Sequence, residues 1–156
     1  MKQIIIAGIF GVAMLLAGCS SKNLNTQEAT QNTIYQTLQS KQEWKIHSFK
    51  LNNTTEVLTF EKEYPFFIGF KEKGVFGTFG CNNFFGSYDL NNDNLKISNA
   101  GMTRKMCEPR IMELESKLTE NVLNNENRVE ILNDGKILIF RNDFYLLMQY
   151  FKDIFT

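Results

Sequence analysis

The chain is 156 residues long, with 17 basic and 17 acidic side chains, a single His and 14 Phe. That balance leaves no basic stripe and speaks against a nucleic-acid-binding surface. The length suits one domain with its own core, and the surplus of phenylalanine needs explaining.

The first residues, MKQIIIAGIFGVAMLLAGCSSK, pair one lysine with an apolar run from Ile4 to Ala17. That run is too short for the roughly 20 helical residues that span a bilayer, but it suits a signal-peptide core. It closes on Leu16-Ala17-Gly18-Cys19, which is similar to the bacterial lipobox, and residues 1–18 are read as a cleaved signal peptide. Cys19 would then carry acyl chains, each methylene contributing about 0.8 kcal/mol to membrane attachment, enough with two chains for stable anchoring. Ser20 follows the anchor, where inner-membrane lipoproteins of enteric bacteria often carry Asp. The expected location is therefore the cell envelope, with the periplasmic face of the outer membrane favoured over the inner membrane. Removing Lys2 with the leader leaves the mature chain one negative charge from neutral.

Residues 19–42 are polar and read as the lipidated cysteine followed by a flexible tether, with Ile34, Tyr35 and Leu38 spaced for one amphipathic turn. The folded domain is expected over 43–156. EWKIHSFKL alternates as a strand, Asn52-Asn53-Thr54-Thr55 reads as a turn, and EVLTFEKE and PFFIGFKE read as further strands. VFGTFG, FFGSYDL and LKISNA continue the series, separated by Cys-Asn-Asn and Asn-Asn-Asp-Asn. EPRIMELESKLTENVLNN changes period: Ile111, Leu114, Leu118 and Val122 form one helical stripe, Pro109 suits the first turn, and Asn124-Asn125 can end it. RVEIL, KILIFR and FYLLMQYF then resume strand character around an Asn133-Asp134-Gly135 turn. The fold class is α+β: a curled antiparallel β-sheet, open or cracked like a split barrel, with one packed α-helix.

The glycines of GTFGCNNFFGSY sit in or beside strands, where they permit bulges, sharp curl and close backbone approach. A phosphate-binding loop would need a helix to follow, and a strand follows instead. This stretch, together with Thr103-Arg104-Lys105-Met106-Cys107 before the helix, resembles the META/HslJ family. The matching positions are Gly80-Cys81-Asn82, then Gly86-x-Tyr88, then Thr103-x-x-x-Cys107, with Trp44 near the start of the first strand. The resemblance covers about Trp44 to Leu147 and implies an antiparallel α+β domain with one long helix. It implies a kinship with heat-shock-induced envelope proteins linked to novobiocin tolerance, with domains associated with secretion or virulence, and with lipid-binding pilotins. It supplies no catalytic residue.

With Cys19 acylated, Cys81 and Cys107 are left as a pair in an oxidising compartment, which favours a disulfide. Two alternatives stay open: a reactive Cys107 thiol near a helix start beside Arg104 and Lys105, and two buried unpaired thiols. One His, His47, and no CxxC spacing give poor support for a metal, and Asp89-x-Asn91-x-Asp93 departs from a calcium loop at Asn94 and Ala100. No cofactor is expected. Phe66, Phe67, Phe70, Phe84 and Phe85 are candidates for an apolar binding surface. The sequence thus points to a non-enzymatic, membrane-anchored module for a lipid or an envelope protein. A thiol-based redox or hydrolytic enzyme and a purely structural lipoprotein are the alternatives. Replacing Cys19 with Ser is expected to abolish incorporation of labelled palmitate and to release the protein from the membrane fraction; label retained by the variant would contradict the lipobox reading.

Overall fold

The computed structural model describes residues 21–59 and 62–150; Cys19, its leader and the end of the chain lie outside them. Two helices and nine strands follow in the order α1 (Ser21–Gln39), β1 (Trp44–Leu51), β2 (Thr54–Val57), β3 (Phe66–Lys71), β4 (Gly74–Phe79), β5 (Asn83–Asn91), β6 (Asn94–Met102), α2 (Pro109–Val122), β7 (Glu126–Ile131), β8 (Ile137–Arg141) and β9 (Phe144–Gln149). The elements predicted from residue 65 onward fall almost where the alternation and the helical stripe place them. β2 begins two residues before EVLTFEKE, because the turn uses only Asn52 and Asn53 and pairing with β1 starts at Thr54, and it ends at Val57; Phe60 and Glu61 of the expected strand lie outside the described residues.

The sheet is a closed barrel rather than an open or cracked one. Strands β1 and β3 to β9 pair in sequence, and β9 returns to β1 from Lys45↔Gln149 to Leu51↔Phe144. The ninth strand, β2, attaches outside the ring. It lies beside the second half of β1, from Ser48 on, while β3 takes the first half at Trp44 and Lys45. Closure satisfies the backbone groups that a free edge would leave unpaired.

An eight-stranded ring is just wide enough for its inward side chains to fill. Trp44, Ile46, Phe49, Ile68, Phe70, Phe79, Phe84, Leu95, Ile97, Ile139, Phe144 and Leu146 do so and are buried. Their rings meet edge-on or tilted, Phe79 on Phe84 at 4.5 Å and Phe70 on Tyr88 at 5.2 Å between centroids, as the quadrupoles of aromatic rings prefer. Much of the phenylalanine surplus is therefore core.

Each end of the barrel has its helix, so two helices pack where one was expected. The β3–β4 and β5–β6 turns share one end, and α1 lies across it. Asn92 donates its N–H to Gln31, and Gln39 donates to the carbonyl of Glu72. Ile34 and Leu38 are buried in the core, and the Trp44 indole donates to the Leu38 carbonyl at 2.9 Å. The polar segment expected to be a flexible tether is thus mostly helix, and its only closely spaced apolar residues are the ones that pack. The helix α2 covers the opposite end, at the β4–β5 corner, burying Leu114, Glu115, Leu118 and Val122. Arg110 and Lys117 of α2 both reach Glu56 and Glu113, tying the extra strand β2 to the helix.

Since Leu38 is fully enclosed, Leu38→Ala is expected to cost about 2–5 kcal/mol by the usual cavity and transfer terms, read as a lower urea midpoint at unchanged slope. A midpoint that does not move would show that α1 is dispensable to the fold.

Candidate functional site

Gly80, Cys81, Asn82, Thr103 and Cys107 of the motif converge at the β4–β5 corner. β4 ends at Phe79 and the chain reverses through Gly80, which has φ +88°, a region open to glycine and costly for other residues. A Cβ there would also lie 2.6 Å from the Phe66 ring and 2.9 Å from the Ile111 side chain of α2. The Gly80 N–H donates to the Pro65 carbonyl at 2.9 Å. Cys81 follows, bonded to Cys107 just before α2, with 6.0 Å between the Cα atoms. The disulfide expected from compartment and parity is present, so neither sulfur is a free nucleophile here.

Asn82 uses every hydrogen-bonding valence of its side chain. Its Oδ1 accepts from the Thr103 hydroxyl at 2.9 Å and from the Lys105 N–H at 2.6 Å. Its Nδ2 donates to the Lys105 carbonyl at 3.2 Å and to Glu115 Oε1 at 2.8 Å. The backbone N–H of Asn82 donates to the other carboxylate oxygen, Oε2, at 2.6 Å. Asn82 is 2% exposed and Glu115 7%. A carboxylate removed from water needs such donors, because an unpartnered buried charge costs several kcal/mol. Thr103 serves twice, since its hydroxyl also accepts from the Asn83 N–H at 3.0 Å. Aspartate at position 82 would lose both amide donors and set a second carboxylate against Glu115.

The Gly-x-Tyr part of the motif works elsewhere. Gly86 marks a register shift between β5 and β6, and a Cβ on it would stand 2.9 Å from the Ser98 carbonyl. Tyr88 points into the barrel and its hydroxyl accepts from Gln39 of α1 at 2.9 Å. Burial pushes its phenol above the ordinary value, with the Gln39 hydrogen bond opposing in part. One half of the motif therefore secures α2 and the other half reaches α1.

The five apolar-binding candidates separate. Phe66, Phe70 and Phe84 are buried core residues, contrary to the expectation of an open groove, because their strands direct them into a bore that side chains fill. Phe85 is 64% exposed on the outer wall and Phe67 is half-buried there. Phe76, which the sequence reading left out, is 38% exposed and packs edge-on against Phe67 at 6.5 Å. In register, Gly69, Phe76, Phe85 and Gly101 make one row across β3, β4, β5 and β6. Both rings lean over the neighbouring glycines: ring atoms of Phe85 lie within 3.6 Å of where a Gly101 Cβ would be, and those of Phe76 within 2.7 Å of the Gly69 position. Glycine is the only residue that leaves room for this cover.

A separate groove of about 530 Å³ runs between α1 and β7–β8, lined by Ala29, Ile34, Val129, Ile131 and Phe140, with the Arg128–Asp93 ion pair at its edge. None of the predicted apolar-binding residues lines it. Asp93 of the calcium-like stretch is engaged in that pair, and Asp89 and Asn91 lie along the hairpin.

Glu115 escaped the sequence reading, although it sits inside the apolar stripe of α2 one turn after Ile111, a charge where the period demands an apolar residue. The META domain family model matches residues 36–150. The fold is similar to an NMR structure of a protein from Burkholderia xenovorans, with a TM-score of 0.59 at 17% identity over 90% of this chain and 97% of that one. It is also similar to a second protein structure determined by NMR, with a TM-score of 0.55 at 25% identity over 79% and 92% of the two chains. A comparison with curated proteins finds no match.

Opening the bridge by replacing both Cys81 and Cys107 with Ala is expected to lower stability by up to about 3.5 kcal/mol, from the loop entropy it removes from the unfolded chain. Chemical denaturation checks this; an unchanged midpoint would show that the hydrogen-bonded corner alone secures α2.

Proposed function

The chain belongs to the META domain family, and from that premise we propose that it is a non-enzymatic, lipid-anchored envelope module that docks a partner on its outer wall. The observation that carries the reading is how the motif residues are occupied. Gly80, Cys81, Asn82, Thr103 and Cys107 spend their conformations, sulfurs and hydrogen bonds on holding α2 to the barrel. Phe85 and Phe76, by contrast, stand in solvent on a wall of the barrel. Exposed aromatic area in one place marks an interaction surface more often than a lone exposed apolar residue does.

The lipobox at Cys19 supports the envelope location, on the periplasmic side of the outer membrane. Helix α1, which packs on the barrel through Ile34 and Leu38, lies between Cys19 and the barrel and would set the distance of the domain from that membrane. Within this reading the protein contributes to stress tolerance or to assembly of envelope components, the roles the family resemblance implies.

The test is a chain carrying Phe76→Ala and Phe85→Ala, produced at the wild-type level with its lipid attached and its thermal midpoint measured. Cells with the variant are expected to match a deletion strain in sensitivity to novobiocin and detergent. Wild-type resistance in that strain would overturn the outer wall as the working surface.

A further inference from the structure

The two halves of helix α1 have different surroundings. From Ile34 onward the helix is seated on the barrel. Ile34 and Leu38 are buried, Gln39 donates from Nε2 to the Glu72 carbonyl at 2.8 Å and to the Tyr88 hydroxyl at 2.9 Å, and the Trp44 indole donates to the Leu38 carbonyl. Before Gln31 the side chains of Gln27, Glu28, Ala29 and Thr30 are exposed. The groove beside β7–β8 opens on one flank of this stretch. A second cavity, of about 1210 Å³ and bordered by Gln27, Gln31, Tyr35, Lys73 and Asn92, opens on the other. Ala29 borders both, so at that turn the helix stands between two open spaces. Gln31 sits where the halves meet, its Oε1 accepting the Asn92 N–H at 3.0 Å.

A helix surrounded by water needs its own reasons to stay wound, and the stretch SKNLNTQEAT from Ser21 to Thr30 supplies few. Isolated helices below about 12–15 residues are marginal even when rich in alanine. Here Ser21, Asn23, Asn25, Thr26 and Thr30 are all weaker helix formers than alanine. The first turn carries Lys22 and no carboxylate, which sets a positive charge at the positive end of the helix dipole. Glu28 has Leu24 four residues before it and Asn32 four after, so no opposite charge stands at the spacing that supports an exposed helix. The Thr30 hydroxyl donates back to the Thr26 carbonyl at 2.9 Å and the Thr33 hydroxyl to the Ala29 carbonyl at 2.8 Å. Such back-bonding slightly destabilises a helix.

We propose that α1 is an extensible link hinged near Gln31: the half from Ile34 stays on the barrel, and the half up to Thr30 exchanges between helix and coil. The proposal rests on the reading of a lipid-anchored docking module and adds control of its reach. About ten residues rise roughly 15 Å as helix and reach roughly 33 Å when drawn out, so unwinding lets the barrel stand up to roughly 20 Å further from its point of attachment. Helix–coil relaxation takes about a microsecond or less. The outer wall can therefore meet a partner at different heights above the membrane while every contact inside the barrel is kept.

The experiment measures amide hydrogen exchange on the full chain by NMR, residue by residue through α1 and the strands. Amides from Thr26 to Gln31 are expected to exchange at least about a hundredfold faster than those from Tyr35 to Gln39, which share the protection of the barrel they pack on. Uniform protection along α1 overturns the proposal. So does fast exchange of the whole helix, which would mean that α1 leaves the barrel as one strap with no fixed half. A variant carrying Thr26→Ala and Thr30→Ala raises helix propensity at two exposed positions, and is expected to slow exchange of the first half about fivefold at an unchanged urea midpoint. No slowing would show that a helix–coil equilibrium does not govern this half, and overturns the proposal as well. Its failure is separable from that of the docking reading. If exchange divides at Gln31 while the chain with Phe76→Ala and Phe85→Ala gives wild-type resistance, the extensible link stands and the outer wall is not the working surface. If exchange is uniform while that chain behaves as a deletion, the outer wall stands and α1 is a rigid spacer.

Discussion

Glu115 is a carboxylate on the buried stripe of a helix, and the β4–β5 corner is built around satisfying it. Asn82 meets it with a backbone N–H and a side-chain amide, and the other side of that amide is held by Thr103 and Lys105. The arrangement needs the chain to turn at Gly80 with positive φ so that Asn82 faces α2. It needs the segment from Thr103 to Cys107 drawn in close, which the disulfide to Cys81 does covalently. A buried polar network in which every member is satisfied specifies one arrangement, and a partly satisfied one is worse than an apolar core. The position of α2 over the barrel end follows from that constraint as much as from the burial of Leu114, Leu118 and Val122.

One end of the barrel is closed by α2, the other is crossed by α1, and between them the bore is lined by buried side chains. Rings from nearby strands meet inside it, and glycines permit close approaches beside them. The outer wall at Phe85 is where the sequence keeps an aromatic ring in water and places glycine beneath it. The same glycine-rich stretch that shapes the inside thus shapes the outside, since Gly77 and Gly86 face close neighbours while Gly69 and Gly101 leave room for rings.

Much of this was legible in the residues, and the limits have physical causes. Strand alternation and the helical stripe located the elements from residue 65 onward because each has one buried face, which writes its period into the sequence. Closure was not legible: whether β9 meets β1 depends on strand tilt and register, which no local pattern encodes. The helix α1 was read as no more than one turn because, among its described side chains, Ile34 and Leu38 are the ones buried in the core, so its composition reads as solvated. The disulfide followed from parity and compartment, and the motif marked Asn82 and Thr103, but nothing marked their common partner. Glu115 was visible only as a charge inside an apolar stripe. Phe66, Phe70 and Phe84 could not be told from Phe85 by type; alternation sets the two faces of each strand apart, and closure of the barrel decides which face is the bore.

The central claim is that the corner motif is a clamp between the barrel and α2, and that Asn82 and Glu115 act through each other. A double-mutant cycle on the full chain tests it most directly, with Asn82→Ala, Glu115→Ala and the pair compared by equilibrium denaturation. Residues sharing one network should couple by about 1 kcal/mol or more, the double variant losing clearly less than the two single losses combined. Losses that add to within roughly 0.5 kcal/mol would mean the two side chains are independent, and the account of the motif as a clamp would be wrong.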